Sequence, residues 1–379
     1  RIEVRLFNPA RNRSGALRRG FEMLLRFAGF NRRMHNKAWI ADGRLAIIGG
    51  RNVGDEYFGA ADTNFHDSDL LLVGHAVAEA GTLFDRFWNS PAVVPLQALH
   101  QKRAQPWTPE EFARQLERWK QEAAQSTWYQ ALSDSDDWLD RVHALTGRLR
   151  WTQHIRVLSD PPEKASAFRK GQDRADWLLY DVMALLFSAQ RQSWIISPYF
   201  VPGDPGTFML TGQAQRGIDV RVLTNSLVAN DVPLVHAGYA RYRRDLLRHG
   251  VQLSELKPSQ ATAERSWLGS GGGASLHSKA IVVDGQRGFV GSFNFDPRSA
   301  QLNTEMGVMF EDPELAASLR EFFADSVQPE HAWTLALGAD DTLRWHGAGH
   351  RTWQQEPEAS WHLRTLTWLL GFLPVESQL

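Results

Sequence analysis

Two histidine–lysine pairs, each followed at fixed distances by an aspartate, a glycine and an asparagine, carry the chemistry of this sequence. In the second, Leu276 to Asn294 (LHSKAIVVDGQRGFVGSFN), Asp284-Gly285 stands between two apolar runs, a strong short-range signal for a β-hairpin. With Asp284 and Gly285 as the two turn residues, Val283 pairs with Gln286 and His277 falls opposite Ser292. His277 and Lys279 then share a face with Ser292 and Asn294, because side chains two apart on a strand point the same way. That set suits an anionic phosphate ester. Lys279 offers charge, Asn294 offers amide donors, Ser292 is small enough to leave room, and His277 can attack or protonate. Asp284, at the turn, reads as a turn or ion-pair residue outside the site.

The pattern occurs once more, at Met34 to Asn52 (MHNKAWIADGRLAIIGGRN). A constant offset of 242 residues relates His35 to His277, Lys37 to Lys279, Asp42 to Asp284, Gly49 to Gly291 and Asn52 to Asn294, with Gly50 where the second copy has Ser292. One such five-residue match arises by chance on the order of 10⁻⁷ per starting position. His35, Lys37 and Asn52 are therefore candidate site residues, Gly50 with Ser292 a candidate for substrate contact, and Asp42 a second turn residue.

HxK, four residues, D, six residues, then G-G/S-x-N, standing twice, resembles the signature of the phospholipase D superfamily. The resemblance implies an α/β fold of two phospholipase D-like α-β-α domains, related by pseudo-two-fold symmetry, with the active site between them. It implies a phosphohistidine intermediate, with His35 as nucleophile and His277 as general acid and base. The phosphate can be held by Lys37, Lys279, Asn52 and Asn294, so the expectation is catalysis without a metal or other cofactor.

Each hairpin is followed by a strand and a helix: Asp69 to Gly74 then Val77 to Trp88, and Thr304 to Phe310 then Pro313 to Phe323. Acids stand at or before each strand start, Asp67 and Asp69 in one half and Glu305 in the other. A carboxylate accepting the Nδ1 proton of a reactive histidine fixes its tautomer and stabilises its cation. The family places such an acid where Glu305 stands, which assigns it to His277; Asp67 or Asp69 would serve His35. His66, Asp67, Asp69 and His75 also read as metal ligands, a reading disfavoured because the spacing does not recur in the other half.

With 379 residues and a formal net charge of −1, the chain is long enough for two domains but lacks the basic balance of a nucleic-acid enzyme, so no nucleic-acid partner is expected. Zero cysteines exclude disulfide and thiol chemistry, and fifteen tryptophans suit either a core or a membrane interface. No apolar run approaches the roughly 20 residues that span a bilayer. Ile2 to Phe7 resembles the strand Val251 to Leu256, yet Trp151 to Gly250 has no counterpart upstream, so the first domain is expected to be truncated at its N-terminus. The expected organisation is residues 1–98 as the first half, 99–150 as a helical connector started by Thr108, Pro109 and Glu111, 151–335 as the second half, and 336–379 as a tail.

The second half alternates strand and helix: His154 to Leu158, Asp173 to Gln190, Trp194 to Ser197, Gly203 to Arg216, Asp219 to Thr224 and Val232 to Arg248. Ile196-Ser197-Pro198-Tyr199-Phe200-Val201-Pro202-Gly203, and Leu223 to Leu227 with Asn230-Asp231 and His236, resemble bacterial cardiolipin synthases of the shorter class. Both segments lie at strand ends, which makes Tyr199, Asn225 and Ser226 candidates for substrate contact. The run Gly271-Gly272-Gly273 reads as a rim or lid, and Trp361 to Leu379 either lies in a membrane interface or docks on the core. The resemblance implies transfer of a phosphatidyl group between glycerophospholipids, with phosphatidylglycerol as acceptor and phosphatidylethanolamine as a further candidate, at the surface of the bacterial inner membrane. Hydrolysis by a phospholipase D, a nuclease of the same superfamily, and a silent lipid-binding protein are the alternatives; the charge balance weakens the nuclease and two complete motifs weaken the silent protein.

Overall fold

The computed structural model describes residues 2–9, 32–58, 61, 64–99, 107–126, 129–130, 143, 147, 149–166, 174–258 and 275–379. The Gly271 to Gly273 run and much of the connector lie outside them.

In the first half a short strand, β1 (Arg5–Phe7), precedes the hairpin of β2 (Ala38–Ala41) and β3 (Leu45–Gly49). β4 (Asp69–Val73) completes a three-stranded antiparallel sheet, α1 (His75–Trp88) covers it, and β5 (Val93–Pro95) returns to pair with β1. The apolar side of α1 buries Ala76, Val77 and Ala80 against Ala46, Ile48 and Leu72 of the sheet. In the connector, α2 (Pro109–Ala124) starts with Thr108 and Glu111 each bonding the other's backbone N–H, the capping box expected there.

β6 (Ile155–Ser159) opens the second half and is followed by α3 (Leu178–Phe187), β7 (Gln192–Ile196), α4 (Gly203–Gln215) and β8 (Asp219–Asn225). Val232 to Arg248 forms two helices, α5 (Pro233–Ala240) and α6 (Arg243–Arg248), rather than the one expected. Next come β9 (Gln252–Leu256), the hairpin β10 (Ala280–Val283) and β11 (Arg287–Gly291), α7 (Pro297–Gln301), β12 (Met306–Glu311) and α8 (Pro313–Ser326). The chain does not then become a tail at residue 336. β13 (Ala332–Leu337) runs through that position, and β14 (Leu343–His346) and β15 (Thr352–Trp353) extend the same sheet before α9 (Trp361–Leu370). The ten strands lie in the order β15-β14-β13-β9-β8-β7-β10-β11-β12-β6, with β7, β8 and β9 parallel. β7 from Ser193 and β8 from Val222 are buried on both faces, because α3, α4 and α6 cover one side and α8 the other.

Both hairpins carry the expected left-handed turn residues, Asp42 and Gly43 (φ 51° and 63°) and Asp284 and Gly285 (φ 55° and 67°). Their loops hold three residues, however, not two. Gln286 N–H closes the turn onto the Val283 carbonyl (3.1 Å), but the ladder resumes with Val283 opposite Arg287, and Ala41 likewise faces Leu45. This shifts the register by one, so that Ser292 does not stand opposite His277.

The ladder also fixes which acids are equivalent. Gly49 faces Asp69 and Gly291 faces Gly307, so beyond the hairpin the offset between halves is 238 residues (69 to 307), which makes Asp67 the counterpart of Glu305. The halves meet through two short parallel bridges, Met34 with Thr304 and His66 with Leu276, which are each other's equivalents under the offsets 242 and 238. A shared core of Ala46, Ile48, Leu72, Val157, Met306 and Val308 seals the contact between them.

Candidate active site

The two bridges lay the strand that enters each HxK motif beside the segment that carries the other half's acid. His35 N–H donates to the Thr304 carbonyl (2.9 Å), one residue before Glu305, and His277 N–H donates to the His66 carbonyl (2.8 Å), one residue before Asp67. The acids therefore cross over. Glu305 Oε2 accepts from Nδ1 of His35 at 2.7 Å, and Asp67 Oδ2 accepts from Nδ1 of His277 at 2.6 Å. This corrects the assignment of Glu305 to His277 and of Asp67 or Asp69 to His35: equivalence by alignment gives each acid's place in its own half, whereas contact is made across the interface. Asp69 holds Arg51 instead, its Oδ2 2.6 Å from Nε.

With both Nδ1 atoms committed to carboxylates, Nε2 is the nitrogen left to each ring for chemistry at phosphorus. Lys37 and Lys279 lie between, each Nζ donating to the carbonyl of the histidine two residues before it, His35 and His277. Burial brings the Lys37 ammonium down to about 8 against the pull of Glu305 and Asp67. Lys279, fully buried, is also lowered, first by burial, while Asp67 pulls it the other way. The Asp67 carboxyl is raised by burial, opposed by Lys279. Glu305 would be raised too, but His35, Ser292 and Lys37 together bring it below its ordinary value. His277 is held well below its usual pKa by burial and then by the two lysines, which favours its neutral form. An anionic phosphodiester between the ammonium groups would offset them and favour the His277 cation.

Among the remaining candidates, Asn294 is buried and its Oδ1 has no hydrogen-bond partner, while Asn52 Nδ2 donates to the Tyr57 hydroxyl at 2.7 Å. Ser292 does not line an opening beside His277. The one-residue register shift turns its hydroxyl onto Glu305 Oε2 (2.5 Å), and its carbonyl lies 3.1 Å from Nδ1 of His35. Gly50 likewise serves packing: a Cβ there would sit 2.4 Å from Asp67 Oδ1, so only glycine lets that carboxylate approach His277. Asn225 and Ser226 are buried, and both bond to backbone. The Asn225 carboxamide grips both backbone groups of Leu276, positioning the residue before His277, and Ser226 accepts from Ala229 N–H within its turn. Both sit where the sheet interior demands that every polar group be satisfied by backbone. Tyr199 donates to Asp231 at 2.6 Å. Asp284 accepts from the N–H groups of Gln190, Arg191 and Gln192 and pairs with Arg287, and Asp42 marks the equivalent turn.

The rings flanking His277 carry no sequence signal: Tyr57 stands edge-on at 5.1 Å and Phe65 at 5.2 Å. His66, Asp67, Asp69 and His75 do not converge, since His75 Nε2 lies 3.4 Å from the Ile155 carbonyl. Another trio, the buried His236 and Glu255 with the partly buried Glu356, offers three ligand atoms within 4.8 Å, but Arg243 already donates to both carboxylates and supplies the positive charge there.

Two half-sites that exchange acids across one interface, around the buried Lys279 and the partly buried Lys37, define a two-histidine phosphodiester site of the phospholipase D kind. Residues 182–327 match the family model described as cardiolipin synthase, PLD-like domain. The chain is 38% identical to cardiolipin synthase C of Escherichia coli (strain K12) over 387 residues, covering 99% of this chain and 79% of that protein. It is 26% identical to cardiolipin synthase A of Pseudomonas syringae pv. syringae (strain B728a), covering 85% of this chain and 53% of the relative. The fold is similar to that of phosphatidylserine synthase from Haemophilus influenzae Rd KW20, with a TM-score of 0.56 at 14% identity, covering 91% of this chain and 71% of the other. The chain belongs to the phospholipase D superfamily, in its cardiolipin synthase family.

Proposed function

We propose that this protein is a phosphatidyltransferase that moves a phosphatidyl group from one glycerophospholipid to phosphatidylglycerol, making cardiolipin. The observation that carries this reading is the pair of crossed contacts, Glu305 with His35 and Asp67 with His277. Nε2 of His35 attacks phosphorus while the bond to the leaving alcohol breaks, and His277 gives that alcohol its proton. The phosphorylated imidazole keeps its Nδ1 proton and is a cation, which the ionised Glu305 stabilises. His277, now neutral, takes the proton of the incoming hydroxyl; its oxygen bonds to phosphorus, the P–N bond breaks, and His35 is restored. Lys37, Lys279, Asn52 and Asn294 hold the phosphate oxygens.

A lipid substrate requires a bilayer surface, and α9 supports that setting. Its own Thr367 is buried, while Trp361 and Trp368 are each 63% exposed and Phe372, just past its end, 67%. No helix among the described residues is long and apolar enough to cross a membrane. We place the protein peripherally on the bacterial inner membrane, through α9.

Incubating the protein with labelled phosphatidylglycerol and phosphatidylethanolamine, and reading products by mass, tests this. Cardiolipin with release of a free headgroup is expected; phosphatidic acid alone would make the enzyme a hydrolase, and no lipid product would end the reading.

A further inference from the structure

Lys164 has no part in the chemistry above, yet its ammonium is completely buried and makes two bonds that converge on the active site. Nζ donates to Asp160 Oδ2 at 2.7 Å and to the Ser299 carbonyl at 2.8 Å. Asp160 Oδ2 accepts in turn from the backbone N–H of Glu305 (2.8 Å), and Asp160 N–H donates to the Glu305 carbonyl (2.8 Å). The Ser299 hydroxyl donates to Glu305 Oε1 at 2.9 Å. One ammonium thus ties together the two groups that fix Glu305, one on its backbone and one on its carboxylate, while Oε2 remains for His35 and Ser292.

Asp67 is held differently among the described residues: Arg51 Nη2 donates to its carbonyl at 3.3 Å, and no lysine–aspartate–serine clamp reaches its carboxylate. Under the 242-residue offset the positions of Ser292 and Ser299 fall on Gly50 and Tyr57, and Asp67 accepts from His277 and from the N–H of its neighbour Ser68. A buried ammonium–carboxylate pair is a costly way to hold a fold together, since an apolar pair of similar size does as well. Its geometry is therefore better explained by what it orients.

We propose that Lys164 is a positioning residue for the His35 half of the reaction, holding Glu305 against Nδ1 through Asp160 and Ser299. The proposal rests on the phosphatidyl-transfer reading and deepens it: the clamp serves one histidine and not the other.

The experiment uses Lys164→Met and Ser299→Ala, each in the otherwise unchanged protein and in a His277→Ala background. The donor is a phosphatidyl ester of p-nitrophenol, whose leaving group needs no acid, so adduct formation under rapid quench reports His35 alone. Each variant is expected to slow adduct formation about tenfold in both backgrounds, with donor KM changed by less than about twofold, as loss of a supporting hydrogen bond to a reactive group does. In the His277→Ala background, where Asp67 has no ring to orient, the acid limb of adduct formation should also move to higher pH, because a loosened Glu305 is protonated more easily. A drop that is uniform with pH, or no drop, overturns the clamp while leaving transfer intact. If Lys164→Met does not fold, Ser299→Ala decides alone. Failure of the unchanged protein to form any adduct overturns both the transfer reading and the clamp.

Discussion

Glu305 accepts the Nδ1 proton of His35 at 2.7 Å although 270 residues separate them and His277 lies in its own half. The site is consequently a property of the interface: neither half alone contains a histidine with its carboxylate. Glu305→Gln should suppress adduct formation on His35, and Asp67→Asn should instead slow its discharge to an acceptor, each by about two to four orders of magnitude. Single-turnover kinetics with the nitrophenyl donor separates the two steps; the reverse pattern would restore the uncrossed pairing.

Activity should follow a bell in pH. Below the range where Asp67 is ionised, a range moved up by burial, His277 loses the carboxylate that orients it. Above about 7 Lys279, and above about 8 Lys37, lose their protons, and with them the charges that hold phosphate. Lys37→Arg, which stays protonated, should extend activity to higher pH if it is accommodated; kcat/KM measured from pH 5 to 10 gives both limbs. A basic limb unmoved in an active Lys37→Arg enzyme would assign it to another group.

Turnover should persist in excess chelator, since two ammonium groups and two carboxamides can meet the phosphate without a divalent ion. Activity that disappears with chelator and returns with a divalent cation would contradict this.

Replacing Trp361, Trp368 and Phe372 by serine should release the protein from anionic liposomes in a flotation assay while leaving its circular dichroism unchanged. These side chains are exposed on α9 and the turn that follows it, so their loss removes membrane contact without opening the core. Undiminished flotation would place the membrane contact elsewhere.

Much of this architecture can be read from residue order, because the hairpins repeat and their Asp-Gly turns are local signals. The register could not be read so closely: whether Gln286 joins the ladder or the loop depends on twist and packing, and one residue decides whether Ser292 faces His277 or Glu305. Crossing of the acids was also hidden, since repeat alignment relates Asp67 to Glu305 but says nothing of the bridges that bring Met34 beside Thr304 and His66 beside Leu276. Lys164 and Asp160 carry no motif at all; only burial and hydrogen bonding single them out. β14 and β15 carry no strand signal of their own: each is short and bounded by turn residues, so the sheet they join is what makes them strands.

The central claim, that His35 is the nucleophile of a single site shared by both halves, is tested most directly by trapping the phosphatidyl-enzyme under rapid acid-free quench and mapping it by peptide mass spectrometry. The adduct is predicted on the peptide containing His35, absent from His35→Ala and retained in His277→Ala with the nitrophenyl donor. An adduct on His277, or none on either histidine while cardiolipin is still made, would contradict the account.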